Sequence, residues 1–295
     1  MITILLNPKS GINAPEDGPA RLAQMFDTTG AAVRFVTLAA DVDTAAEVHA
    51  AVAGGAAAIV AAGGDGTVNS VASALVGSTT PLGVLPLGTL NHFARDAGIP
   101  FDLTEAVATI VAAHTTRVDV GAVNDRFFLN NSSLGVYPDI VVEREKLRKQ
   151  GYHKWTALAI ASARIVRHYR GLRVRMEADH ARGRARTAFL FVGNNEYEVE
   201  GLRLGARARL DDGALFAYLA PRVHARQLPM LLGLALLGRV RQSHTLEVFP
   251  ARDLRVDTPR RRRLRVAIDG EVAVMTPPLL FSIKPLALTV IVPAQ

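Results

Sequence analysis

The string Gly63-Gly64-Asp65-Gly66-Thr67 brings together the residue types that phosphate chemistry needs. It lies between a buried-looking apolar run at 57–62 and an amphipathic stretch beginning near Val68. Glycines let the backbone approach a ligand, and the first turn of the following helix offers unpaired N–H groups and a positive dipole end. An aspartate in such a loop repels phosphate unless a cation lies between them, so Asp65 points to Mg²⁺. Thr67 adds a hydroxyl and Asn69 a polar side chain in the first turn. The string is no Walker A loop, because no Gly-Lys-Ser/Thr follows. It is no dinucleotide GxGxxG either, because Asn69 stands where the last glycine belongs. A plain strand-to-helix turn capped by Asp65 would use the same residues.

Two more loops share its character. Asn7, Pro8, Lys9, Ser10 and Gly11 follow the opening apolar run, and Pro86, Leu87, Gly88, Thr89, Leu90 and Asn91 follow a strand that starts at Leu82. Ligands of open α/β sheets bind outside the carboxyl ends of the strands. Three polar, glycine-bearing loops at three such ends make a constellation.

The elements that must position these loops are legible as alternating strands and helices. Strands are expected at 2–7, 33–37, 57–62, 82–85 and 118–123, with helices around 21–26, 44–53, 91 and 103–113. That alternation predicts βαβ units and a mostly parallel sheet covered on both faces. After about Gly121 the pattern changes. DRFFLNNSS, GLRVRMEA, RTAFLFVGN, LEVF, LRVD and LRVAID alternate with period two, which predicts a mostly antiparallel β half. ADHARG reads as a hairpin loop, and helices are expected only at 156–168 and 228–237. The closing run LALTVIVP is apolar again and is expected to return to one of the sheets.

Composition narrows the function. The 295 residues suffice for two modest domains, and 49% hydrophobic with 21% charged residues excludes a disordered chain. Zero cysteines exclude disulfides, thiolate zinc sites and a cysteine nucleophile. Eight histidines lack metal-ligand spacing. The net charge of +7 is unevenly spread: residues 1–120 carry 5 basic against 11 acidic residues, and 121–280 carry 28 against 16. A second half this basic faces either solvent or an anionic partner, nucleic acid or a phospholipid surface. Aromatics at 6%, not interleaved with the arginines, argue against single-stranded nucleic acid. The most apolar run, at 228–237, is about half the ~20 residues a spanning helix needs. The chain reads as soluble and cytoplasmic.

The motifs NPKSG, GGDGTVN and LPLGTLNHFARDAGIP, followed by NNSSLG, GNN, LDDG and DGE, resemble the diacylglycerol kinase catalytic family, which takes in sphingosine, ceramide and bacterial lipid kinases. GGDGT alone is shared with NAD kinase and phosphofructokinase relatives; the later motifs favour the lipid kinases. The resemblance covers nearly the whole chain. It implies an α/β ATP-binding domain over 1–120, rejoined by 281–295, and an antiparallel β-sandwich domain over 121–280 that binds lipid. ATP would lie between the two. Asn7, Pro8, Lys9, Ser10, Gly11, Thr37, Gly63, Gly64, Asp65, Gly66, Thr67, Val68, Asn69, Ser70, Gly88 and Thr89 would hold ATP and its Mg²⁺. Arg209 and Ala214 through their carbonyls, with Asp212, would surround a structural Mg²⁺. Glu271 would be the proton acceptor with Asp269 beside it, and Asp65 would complete the catalytic set. The DGE residues also suit a tight hairpin turn.

The implied activity is ATP-dependent phosphorylation of a membrane-lipid hydroxyl, such as that of diacylglycerol, by a peripheral protein at an anionic inner membrane face. Residues 141–155, basic and ending in Tyr152 and Trp155, suit a headgroup region. So does the apolar stretch 228–239, which equally suits a core helix. PRRRRLRV at 259–266 would attract anionic lipid or protect a strand edge. The alternatives are an NAD kinase-like enzyme with a soluble substrate, or a nucleotide-binding regulatory protein. An exposed sheet edge would permit a homodimer.

Overall fold

Unbroken apolar runs in the first third have no polar face to give to solvent, so they form strands buried on both sides. In the computed structural model, which describes residues 1–8, 18–39, 41–169, 171–179, 181–198, 205–219, 247–259 and 261–294, these are β1 (Ile2–Leu6), β2 (Val33–Thr37), β3 (Ala58–Gly63) and β4 (Leu82–Pro86). They pair in parallel in the order β2-β1-β3-β4, and all six residues of β3 are buried. The helices between them are α1 (Gly18–Asp27), α2 (Thr44–Ala53), α3 (Asp65–Leu75), α4 (His92–Asp96) and α5 (Leu103–Ala112). Ile4, Leu6, Val60, Ala62 and Leu85 pack against Leu22 and Phe26 of α1 and Ala106, Val107 and Ile110 of α5. The alternate strand residues, Leu5, Ile59, Ala61 and Val84, face the other way and are also buried. Asp43 and Asp102 start α2 and α5 by accepting two backbone N–H groups each.

The chain divides into two units. The first holds Met1–Val120, Arg209–Asp212 and Lys284–Gln295; the second holds Gly121–Ala208 and Gly213–Ile283. The closing strand β16 (Leu279–Ile291) serves both, since Leu279–Ser282 pair with one neighbour in the second unit and Val290 pairs in parallel with Leu82 in the first.

The second unit is antiparallel. Its strands are β6 (Arg126–Phe128), β7 (Asn131–Gly135), β8 (Leu172–Ala178), β9 (Ala181–Thr187), β10 (Phe189–Asn194), β11 (Leu215–Leu219), β12 (Glu247–Ala251), β13 (Asp253–Asp257), β14 (Leu264–Ile268) and β15 (Glu271–Met275); β5 (Thr115–Val123) runs into it. One sheet has the order β12-β11-β10-β7-β14-β15. Its core-facing residues, including Leu134, Leu190, Val192, Leu215, Val266 and Ile268, pack against Leu172, Val174, Met176, Leu254, Val256 and Phe281. Those partners lie on β8, β13 and the first part of β16, which also pair antiparallel. A mostly parallel α/β sheet and a separate antiparallel sheet are thus both present. β8 shows why the sequence reads this way: Leu172, Val174 and Met176 are buried while Arg173, Arg175 and Glu177 are exposed.

Several expectations need correction. The single strand expected over DRFFLNNSS is two, β6 and β7, because the N–H groups of Leu129 and Asn130 go to a side chain and not to a ladder. RTAFLFVGN is split at Ala188, whose carbonyl accepts from the Val136 N–H. The ADHARG loop is shorter than expected, since Ala178 pairs with Ala181 and the remaining residues belong to β9. A helix the periodicity does not announce, α6 (Val136–Lys149), packs on α7 (Lys154–His168). Pro138 in its first turn costs no hydrogen bond. The helix expected at 228–237 lies outside the described residues. Among the described residues no helix is long and apolar enough to cross a membrane.

Candidate active site

In a parallel sheet the carboxyl ends of neighbouring strands share one edge, and the register of the first unit puts Leu6 beside both Thr37 and Ala62, with Gly63 beside Pro86. The loops that leave these ends are tied together. Asn7 Nδ2 donates to Thr67 Oγ1 at 3.0 Å, joining the first loop to the third. Asp65 Oδ1 accepts from the Phe93 N–H at 3.3 Å, joining the third to the fourth. Asn91, buried and at φ +48°, accepts from the Gly88 N–H at 3.0 Å and donates to the carbonyls of Pro86 and Gly88. It closes the loop after β4.

Two glycines are required by close approach. A Cβ on Gly63 would come within 2.5 Å of the Thr67 side chain, and one on Gly88 within 2.5 Å of the Gly64 Cα and 2.6 Å of Asn91 Oδ1. Side chains at either place would fill the cradle. Gly64 is the N-cap of α3 and provides no side-chain cap, so the first-turn N–H groups of Asp65, Gly66 and Thr67 are left for another acceptor. Asp65 does not cap its helix, contrary to the simplest reading of the string. Within α3, Val68 turns its side chain into the core, Thr67 is buried, Asn69 is half-buried and Ser70 is exposed. Thr37, Pro8 and Thr89 are exposed at their loop ends. Lys9, Ser10 and Gly11 lie outside the described residues. Backbone donors and glycines of this kind fit a nucleotide's phosphates.

The LDDG segment divides differently. Arg209 Nε lies 3.0 Å from Asp211 Oδ1 and 3.5 Å from Asp212 Oδ1, and its hydrogen bonds hold the Asp211 carboxyl below the usual range. The Leu210 carbonyl accepts from the Asp119 N–H, and buried Asp119 accepts in turn from the Leu286 N–H. The Ala214 carbonyl accepts from the Asn195 N–H at 3.2 Å. Among the described residues, no three His, Cys, Asp or Glu side chains gather into a metal cage.

In the second unit, Asp269 and Gly270 form the two-residue loop between β14 and β15, with φ of +45° and +86° and Ile268 opposite Glu271. These are the left-handed values that an Asp-Gly hairpin turn favours. The hairpin reading is therefore right, yet the aspartate does more. Its carboxylate accepts from the N–H groups of Leu129, Asn130 and Asn131 at 2.8–2.9 Å. Burial pushes its carboxyl up to about 6, while those three donors and the Arg207 guanidinium pull it down. Glu271, next but one, is exposed at the start of β15.

Arg207 escapes sequence reading, since nothing in GARARLDD separates it from its exposed neighbours. It is buried, and its Nη1 donates to the carbonyls of Leu129 and Asn194 while Nη2 donates to Asn130 Oδ1 at 2.8 Å. Its guanidinium also stands 5.3 Å from the Tyr197 ring centroid.

Comparisons with known proteins bear on both units. A model described as the diacylglycerol kinase catalytic domain matches residues 1–123, and one described as the YegS C-terminal NAD kinase beta sandwich-like domain matches 139–292. The diacylglycerol kinase of Staphylococcus epidermidis is 27% identical over 215 residues, covering 72% of this chain and 67% of that protein. The diacylglycerol kinase of Staphylococcus haemolyticus is 26% identical over 228 residues, covering 77% and 68%. A crystal structure of a diacylglycerol kinase from Bacillus anthracis superposes with a TM-score of 0.71 at 18% identity, covering 99% of this chain and 96% of that one. A second solved structure from the same organism gives 0.77 at 21%, covering 99% and 97%. At these identities the structures speak for the fold alone. Matched by family models in both units, the chain belongs to the diacylglycerol kinase catalytic domain family, a family of lipid kinases.

Proposed function

We propose that this chain is an ATP- and Mg²⁺-dependent lipid kinase that phosphorylates a hydroxyl of a membrane lipid such as diacylglycerol. The observation that carries the nucleotide part is the joining of three loops at the strand ends: Asn7 to Thr67, Asp65 to the Phe93 N–H, and Gly64 against Gly88. The names of the staphylococcal relatives support the lipid acceptor.

In this reading the N–H groups of Asp65, Gly66 and Thr67 bind phosphate oxygens, with the dipole of α3 behind them. Asn7, Pro8, Lys9, Ser10, Gly11, Thr37, Gly63, Val68, Asn69, Ser70, Gly88 and Thr89 complete the nucleotide cradle, some only through backbone atoms. Asp65 would be the protein carboxylate for the magnesium, and Arg209, Asp212 and Ala214 would hold a structural one. When bound, Mg²⁺ neutralises charge on the phosphate oxygens and stabilises the transferred phosphoryl group. Glu271 accepts the proton of the lipid hydroxyl as its oxygen attacks. Its exposed start-of-strand position leaves it open to an acceptor. Asp269, with both oxygens engaged by backbone donors, is a positioning residue that holds the turn carrying Glu271.

The second unit would meet the membrane through α6 and α7. Trp155 is 66% exposed with Lys154 Nζ 5.7 Å from its ring centroid, and Tyr152 is 44% exposed. Lys146, Arg148 and Lys149 close α6 beside them. Interfacial aromatics flanked by cations suit a peripheral protein on anionic lipid.

The test measures ADP release with ATP and Mg²⁺ in the presence of lipid micelles, of NAD, or of no acceptor. Release that requires lipid is expected; release that requires NAD would move the chain to the NAD kinase-like alternative.

A further inference from the structure

The arginine run at 259–266 is more than a solvated edge. In β14, Leu264, Val266 and Ile268 turn into the sandwich core, so Arg265 projects from the opposite face, where α6 packs. There Arg261, Arg263 and Arg265 line a depression of about 340 Å³ whose other walls are Asp139, Leu264 and Val274. Arg265 Nη1 donates to Asp139 Oδ1 at 2.8 Å, which fixes one guanidinium. Arg261 and Arg263 have no carboxylate partner among the described residues.

The floor is built. Thr258, buried, donates through Oγ1 to the Arg261 carbonyl at 3.2 Å, and the Arg261 N–H donates to the Thr258 carbonyl at 3.1 Å. This tight turn fixes where Arg261 leaves the chain. Tyr169, which ends α7, has a buried hydroxyl with no hydrogen-bond partner among the described residues. It is close enough to Arg261 and Asp139 to feel both charges, and burial pushes it up to about 12, so it remains a protonated donor.

Three guanidiniums against one carboxylate leave two positive charges, which match a phosphate monoester dianion. A phosphodiester, with one charge, would leave one arginine uncompensated. The planar guanidinium fork suits phosphate oxygens in a way that an ammonium does not. We propose that this depression is a binding site for a phosphate monoester dianion, gripped by Arg261 and Arg263, with Arg265 held in place by Asp139. The monoester is either the headgroup of a phosphorylated lipid or a soluble phosphate. The proposal uses only residues of the second unit and stands whether or not the acceptor proposed above is correct.

The test uses the full chain, wild type and the double variant Arg261→Ala/Arg263→Ala, with thermal melting to check that both are folded. Each is floated with phosphatidylcholine vesicles containing phosphatidic acid, and with phosphatidylglycerol vesicles matched in surface potential. Each is also titrated with inorganic phosphate by calorimetry. A wild-type preference for the phosphatidic acid vesicles that the double variant loses supports the site with a lipid headgroup as its ligand. Phosphate binding weakened roughly 10-fold or more in the variant, from lost charge-assisted hydrogen bonds, without a vesicle preference, supports the site with a soluble ligand. If the double variant melts early, Arg263→Gln carries the same comparison at an exposed position. Folded variants that match wild type for phosphate and for both vesicle types overturn the proposal.

Discussion

Asn131 and Asp269 bind each other twice: the Asn131 N–H donates to Asp269 Oδ1 at 2.8 Å, and the Asp269 N–H donates to the Asn131 carbonyl at 2.9 Å. With Leu129 and Asn130 donating to the same carboxylate, one turn residue anchors the start of β7 across 138 positions of sequence. Four hydrogen bonds thus tie the turn that precedes Glu271 to the start of β7.

That anchorage has a pH signature. Asp269 titrates near 6 in the folded chain because burial outweighs its donors, against an ordinary value of 3.8. A raised carboxyl favours the folded state while it is protonated in both states, and that contribution is lost as pH rises from about 4 through about 6. Wild type should therefore lose melting temperature relative to Asp269→Asn across that window. Asparagine keeps the turn and cannot titrate. Parallel melting curves from pH 4 to 7 would show that Asp269 is ionised throughout.

Arg207 supplies donors to Leu129, Asn130 and Asn194 from a buried position. Replacing it with Met removes the donors; the Leu129 carbonyl keeps the Asn194 amide, while Asn130 Oδ1 loses the guanidinium, at ~1–3 kcal/mol for a group left unsatisfied. Urea unfolding should show a loss of at least about that size. A change within experimental error would mean that the network relaxes onto water.

Gly88→Ala places a methyl group 2.5 Å from the Gly64 Cα, where backbone cannot give cheaply. We expect nucleotide affinity to fall about 10-fold or more as the two loops are pushed apart, with a stability cost of ~1–3 kcal/mol from overpacking. Equilibrium titration with a fluorescent ATP analogue reads the first and thermal melting the second. Unchanged affinity would take the cradle away from this pair of loops.

Much of the first unit is legible in sequence because parallel strands buried on both faces read as unbroken apolar runs, and β3 with its GGDGT turn is the clearest case. The three strand-end loops follow from that reading. What joins them does not: the Asn7–Thr67 bond spans 60 residues and the contact from Asp65 to Phe93 spans 28. The second unit hides more. α6 carries its buried residues at Val136, Pro138, Val141 and Leu147 among charges, so no strong apolar stripe announces it. The break between β6 and β7 is caused by a carboxylate that lies beyond position 260. Arg207 looks like any arginine in a basic stretch until its surroundings are seen.

Glu271→Gln should lower turnover ~10²–10⁴-fold, the usual contribution of a positioned base, and leave melting unchanged. Asp65→Ala should also abolish turnover without unfolding the chain. Either variant retaining full activity removes that residue from the chemistry.

The most direct measurement follows the phosphate itself. ATP labelled in the γ position is incubated with the full chain, Mg²⁺ and mixed micelles of diacylglycerol, a sphingoid base or phosphatidylglycerol, and the organic phase is resolved for labelled lipid. Label is expected in a lipid product, in a reaction that requires Mg²⁺ and that slows ~10²–10⁴-fold with Glu271→Gln. Label that never enters any lipid, from a folded chain that binds ATP, would contradict the proposed activity.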